Sequence, residues 1–192
     1  GFTLGSFDLQ RYQLKAGIKA KATDIVFYGS YNQLSGYRDN SGLKHATIST
    51  NVFHRLSDKS TIKFIFNYTD SPQADDPGGV NLESVKTDRK AARDANSNFQ
   101  AGEEITQLKL ASILDVGNFQ TNVFFINQAF YGFLPFEFGG IVDLGRTFFG
   151  NSSNYKITTQ NQDLNNELLV GYDLQWQSDE RQRFRNLQGK EG

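Results

Sequence analysis

The sequence predicts an all-β chain, an antiparallel up-and-down meander of about nine long strands with one short helix in a long loop. Three observations carry that expectation: apolar and polar residues alternate over long stretches, short polar turns alternate with longer loops, and a single segment has helical spacing. The clearest stretch is Lys44 to Pro72. From Thr61 to Thr69, Ile62, Phe64, Phe66 and Tyr68 fall on one face of a period-two strand, while Thr61, Lys63, Asn67 and Thr69 share the other with Ile65. Leu56 to Ser60 is too short for anything but an antiparallel hairpin turn. In the strand before it, Ala46, Ile48, Thr50 and Val52 alternate with His45, Thr47, Ser49 and Asn51.

The remaining elements follow in order. Gly1 to Gly5 is a short strand leading into a tight Ser6-Phe7-Asp8 turn. In Leu9 to Ala20, Tyr12, Leu14, Ala16 and Ile18 oppose Arg11, Gln13, Lys15 and Lys19, and the turn Lys21 to Thr23 follows. Ile25, Phe27 and Tyr31 mark a third strand, which runs into the loop Gln33 to Gly42. After the hairpin, Ser71 to Gly79 has two prolines and paired glycines and is expected not to be strand interior. Asn81 is placed to cap a helix from Leu82 to about Ala95, with Val80 and Val85 as a hydrophobic staple. Strands resume at Glu104 to Asp115, turn at Val116-Gly117-Asn118, and return through Phe119 to Phe130. The phase of that return strand is ambiguous, because Val123, Phe124, Phe125 and Ile126 are consecutive. Tyr131 to Arg146 reads as an aromatic loop. Thr147 to Gln160 and Glu167 to about Arg183 form the last pair, joined by a short turn within Asn161 to Asn166. In the final strand Leu168, Val170, Tyr172, Leu174 and Trp176 face one way.

Composition narrows the class. The chain has 192 residues, 38% hydrophobic, with 17 Phe and 8 Tyr, and a mean hydropathy of −0.52. No apolar run reaches the ~18 residues a membrane helix needs, whereas a barrel with a wet interior commits only alternate strand residues to lipid. Twenty basic and 21 acidic residues leave a net charge of −1, with no footprint for nucleic acid. There is no Cys, hence no disulfide and no thiolate metal site. Starting at Gly1, without Met or a signal peptide, and ending in the loop-like Asn186 to Gly192, the chain is expected to be a section of a longer protein.

Short turns at one end and longer loops at the other, joined by strands of about ten residues, are what a transmembrane barrel requires. The lipid-facing set is then Tyr12, Leu14, Ile18, Phe27, Ile48, Val52, Ile62, Phe64, Phe66, Leu108, Leu110, Leu168, Val170, Tyr172, Leu174 and Trp176. Soluble sandwiches and lipocalin-like barrels also alternate, with the apolar face turned inward.

Several stretches carry a resemblance: Gly5-Ser6-Phe7 with Leu9-Gln10-Arg11-Tyr12, Gly36 to Ser41, Leu56-Ser57-Asp58, Asn67 to Gly79, Gly139 to Leu144, and Asp179 to Arg183. In this order they resemble the first part of the barrel of TonB-dependent outer-membrane receptors, especially the iron-siderophore type. The resemblance implies residues 1–192 as a partial barrel, without the plug domain or the remaining strands. It further implies a bacterial outer-membrane location, an iron–siderophore ligand with iron carried inside its chelator, the lipid bilayer as a partner, and coupling to the TonB complex through the missing plug. A plugless porin-like or adhesin-type barrel and a soluble β-sandwich binding module are the alternatives.

No catalytic constellation is present in the sequence, and no enzyme activity is expected; a Gly-x-Ser-x-Gly elbow is missing. His45 and His54 are spaced onto opposite strand faces, so no metal pair is expected from them. Asp75 and Asp76 before Pro77-Gly78-Gly79 suit either turn formation or Ca²⁺. Tyr37, Arg38, Tyr131, Phe133, Phe136 and Phe138 are the candidates for ligand contact in the outer loops, the rings for an apolar or aromatic ligand and Arg38 for an anionic chelate. The same rings could instead pack against one another. Lys86, Arg89, Lys90 and Arg93 on the loop helix suit a lid or a solvated face.

Overall fold

A computed structural model describes residues 1–161 and 164–192. Nine strands, β1 Phe2–Gly5, β2 Leu9–Ala20, β3 Thr23–Leu34, β4 Leu43–Ser57, β5 Ser60–Asp75, β6 Gly102–Val116, β7 Phe119–Phe133, β8 Ile141–Asn161 and β9 Leu164–Phe184, form one antiparallel sheet in sequence order. The fold is thus the all-β up-and-down meander read from the alternation. The sheet does not close, since β1 and β9 each have a single neighbour. Turns at 21–22, 58–59 and 117–118 lie at one end, and the connections 35–42, 76–101 and 134–140 at the other. The tip of the expected β8–β9 turn, residues 162–163, lies outside the described residues.

At the short-turn end β9 begins at Leu164, so residues 164–166 of the expected turn are strand, paired with 159–161; three larger corrections lie at the long-loop end. β5 continues through Pro72 to Asp75. Register jumps from Ser71–Ile105 to Ala74–Glu103 on one side and from Ala46–Asp70 to Lys44–Gln73 on the other. Pro72 falls within both irregularities, where neither neighbouring ladder needs the N–H it lacks. The expected aromatic loop is largely strand, since β7 reaches Phe133 and β8 begins at Ile141. The single helix is two, α1 Leu82–Thr87 and α2 Asp94–Asn98. Asn81 does cap α1, its side chain accepting from the Ser84 N–H at 2.8 Å. The helix stops because Asp88 turns extended and its carboxylate captures the Lys90 N–H at 2.9 Å, competing with helical pairing.

A single-layer sheet has almost no interior. The buried hydrophobic residues among those described are Ala101, Ile141 and Val142, all near the long-loop end. Large apolar side chains are instead exposed along the strands: Leu14 at 61%, Phe64 at 48%, Trp176 at 58%. No second sheet packs over them, as a sandwich would require, among the described residues.

Candidate functional site

Directly paired residues of neighbouring strands share a face, so register sorts every strand position. One row runs Ile18, Ile25, Val52, Phe64, Ser112, Val123, Asn151, Leu174. The next runs Ala16, Phe27, Thr50, Phe66, Leu110, Phe125, Phe149, Trp176. Extended row by row, this face holds every residue of the lipid-facing set, from Tyr12 to Trp176. It also holds Phe2, Leu4, Tyr31, Tyr68, Leu114, Tyr155 and Ile157. Register settles the phase of β7: Val123 and Phe125 lie on the apolar face, Phe124 and Ile126 on the other. Across Tyr12–Ile18, Ile25–Tyr31, Ala46–Val52, Ile62–Tyr68, Leu108–Leu114, Phe119–Asn127, Thr147–Ile157 and Leu168–Ser178, this face carries no charged side chain. Among the described residues, carboxylates on this face lie nearer the loops, at Asp70, Asp75, Glu104, Asp143 and Glu180.

The apolar band crosses the strands obliquely. The row through Ile18, the lower end of the band on β2, reaches Leu174 on β9, where the apolar run continues six residues further to Leu168. The row through Tyr12 reaches Glu180, where the run has already stopped four residues short, at Trp176. At ~3.3 Å per residue and ~4.8 Å between strands, that slide is about 13–20 Å along the strands over roughly 34 Å across them. It corresponds to a tilt of about 20–30°, approaching the roughly 35–45° of transmembrane barrels. Along a strand, Ile62–Tyr68 and Leu168–Trp176 span about 20–26 Å, comparable with a barrel's ~25 Å apolar belt.

The opposite face is polar and hydrogen-bonded within itself. Thr47 meets Thr69 at 2.9 Å, Gln107 donates to Gln128 at 3.2 Å, and Asp115 accepts from Gln120 at 2.6 Å. Arg146 holds Asp179 through two bonds of 2.7 Å, and Lys156 pairs with Glu167. On β5 this face is the more enclosed one: Lys63, Ile65, Asn67 and Thr69 are half-buried while Phe64, Phe66 and Tyr68 are exposed. That ordering is the reverse of a water-soluble sheet.

At the long-loop end, polar side chains tie the connections together. The Arg38 guanidinium donates to the carbonyls of Gly78 at 2.6 Å, Ala91 at 2.8 and 3.1 Å, and Pro77 at 3.3 Å, clamping 35–42 to 76–101. Asn40 donates to the carbonyls of Asp76 and Ala101 at 2.7 and 2.9 Å. Fully buried Asn186 donates to the carbonyls of Phe99 and Leu134 and accepts from the Gly189 N–H. The loop-like segment after β9 is therefore a docked turn. Sequence reasoning missed Asn40 and Asn186 because their partners are carbonyls, which no residue type marks.

The ligand-contact candidates fall into three groups. Tyr37 packs edge-on against Phe7 at 5.4 Å, beside the engaged Arg38. Tyr131 and Phe133 are strand residues on the apolar face, with rings 5.2 Å apart, and Tyr131 donates to Glu191 at 2.8 Å. Phe136 and Phe138 are exposed on the β7–β8 loop, where Arg185 lies over the Phe138 ring at 5.2 Å. Asp75 accepts from the Gly42 N–H and Gln73, and Asp76 from the Gly78 N–H and Asn96, so both carboxylates organise loops. Register puts His54 on the apolar face, bonded to Thr23 at 2.7 Å, and His45 on the polar one. Comparison with protein-family models and with curated proteins finds no match to this chain.

Proposed function

We propose that this chain is a wall section of a bacterial outer-membrane β-barrel, of the TonB-dependent receptor type that takes up an iron–siderophore complex. The observation that carries the membrane reading is the uncharged face, continuous across β2 to β9, exposed, and sliding across the strands as a tilted wall in a flat bilayer requires. The receptor reading is supported by the ordered stretches that resemble that family and by exposed Tyr37, Phe136 and Phe138 at the long-loop end. In this reading iron is cargo inside its chelator, the lipid bilayer covers the apolar face, and coupling to the TonB complex passes through a plug outside these residues.

The membrane reading is tested by charge placement. After refolding into lipid vesicles, Phe64→Arg and Phe66→Arg are expected to impair insertion, each costing about 2–4 kcal/mol near the midplane, while Asn67→Arg inserts normally. Equal insertion of all three variants contradicts it. Iron–siderophore uptake by the barrel containing this wall is expected to stop when the proton-motive force is collapsed; persistence favours an open pore.

A further inference from the structure

Two hollows on the apolar face follow one another along β5, β6 and β7. The first, of about 380 Å³, is walled by Phe64, Phe66, Leu110, Val123 and Phe125. It opens where small Ser112 stands in register between Phe64 and Val123. The second, of about 190 Å³ and nearer the long-loop end, is lined by Asp70, Glu104, Thr106, Ala129, Tyr131 and Asp143. Register places all six on the apolar face, and Ala129 and Gly145 leave a gap between the carboxylates.

The carboxylates of the second hollow are short of counter-charge. None joins the ion pairs Arg146–Asp179, Lys156–Glu167 or Arg185–Glu137. Glu104, Tyr131, Asp143 and Gln182 form a row without a cation, while Asp70 has Lys44 diagonal to it and accepts from Thr106 at 2.9 Å. Burial, the bond to Glu191 and the charges of Glu191, Asp143 and Glu104 push the Tyr131 phenol up to about 12. Among the described residues these acids are not gathered as a metal site would be. Spread around a gap, they suit a broader cation, an organic ammonium with its three donors.

The spacing of the hollows fits what would carry that ammonium. Along β6 they lie six residues apart, Leu110–Ser112 against Glu104–Thr106, or about 20 Å of strand at ~3.3 Å per residue. On a wall tilted by about 20–45° this is about 14–19 Å of depth, close to the ~15 Å of one leaflet in a ~30 Å hydrocarbon core.

On the bilayer reading of this face, on which the site rests, we infer that the strip holds one membrane lipid, its hydrocarbon chain between Phe64 and Phe125 and a primary ammonium headgroup among Asp70, Glu104 and Asp143. The test uses stearylamine with a nitroxide near its methyl end, in vesicles holding the refolded chain, with the matching stearyl alcohol and stearate as references. Electron spin resonance separates label held at the protein from label in free bilayer. The held fraction of the amine is expected to exceed that of the alcohol about two- to fivefold. Glu104→Gln combined with Asp143→Asn brings the amine down to the alcohol, and Asp58→Asn, in a turn at the opposite end, leaves the preference unchanged. Ser112→Phe, which fills the apolar hollow, lowers the held fraction of amine and alcohol alike. An amine held no better than the alcohol, a preference that survives the double substitution, an unchanged spectrum in Ser112→Phe, or stearate held better than the amine once Ca²⁺ is added overturns the inference. Impaired insertion of Phe64→Arg and Phe66→Arg with no amine preference removes the lipid site alone. Insertion of both at wild-type yield removes the bilayer reading and the site with it.

Discussion

Arg38 holds the connections 35–42 and 76–101 together through carbonyl groups of residues 77, 78 and 91. Charge-assisted bonds of this kind contribute about 1.5–3 kcal/mol each, so Arg38→Ala is expected to loosen the rim without unfolding the sheet. Hydrogen exchange reads this directly: the Asp39 and Arg93 amides, bonded to Lys90 and Pro77 across the clamp, should exchange at least about tenfold faster, with β5 and β6 amides unchanged. Arg38→Lys should not rescue them, because a point charge cannot fork among carbonyls. Unchanged exchange in Arg38→Ala would remove the clamp. The sequence marked Arg38 as important but paired it with an anion, since nothing in residue types shows that carbonyls will converge there. Gly150 was equally hidden, because the Phe124 ring it makes room for belongs to the phase-ambiguous strand.

Alternation within a strand survives in the sequence wherever one residue in two is polar. β2, β4, β5 and β9 were legible for that reason, and register places their chosen residues on one face. β7 was not, because Val123 to Ile126 are apolar on both faces, and only pairing with β6 assigns them. Strand ends near the loops were misread where a breaker sits in a bulge, as at Pro72, or where glycines and aromatics imitate a loop, as at 131–146. The same periodicity offers a test on β5. Deleting Ile65 turns Phe66 and Tyr68 to the polar face and Asn67 to the apolar one, so under the proposed membrane reading the variant should fail to insert. Insertion at wild-type yield would mean that the phase of β5 does not matter.

At the scale of the whole molecule, a nine-stranded sheet that buries little and, on β5, leaves Phe64, Phe66 and Tyr68 exposed while half-burying the polar side fits the proposed bilayer setting. Its two open edges, short β1 and long β9, leave backbone groups unpaired, so the chain should aggregate in buffer and be held by detergent or lipid. A cooperative, soluble monomer in detergent-free buffer would contradict this. The most direct measurement is a nitroxide scan along Ile62 to Thr69 in vesicles, comparing collision with oxygen, which concentrates in lipid, and with a water-soluble nickel chelate. Oxygen access should peak at Ile62, Phe64, Phe66 and Tyr68 and nickel access at Lys63, Ile65, Asn67 and Thr69. A scan with no two-residue period, or with the two probes in the opposite phase, would contradict the assignment of the apolar face to the bilayer.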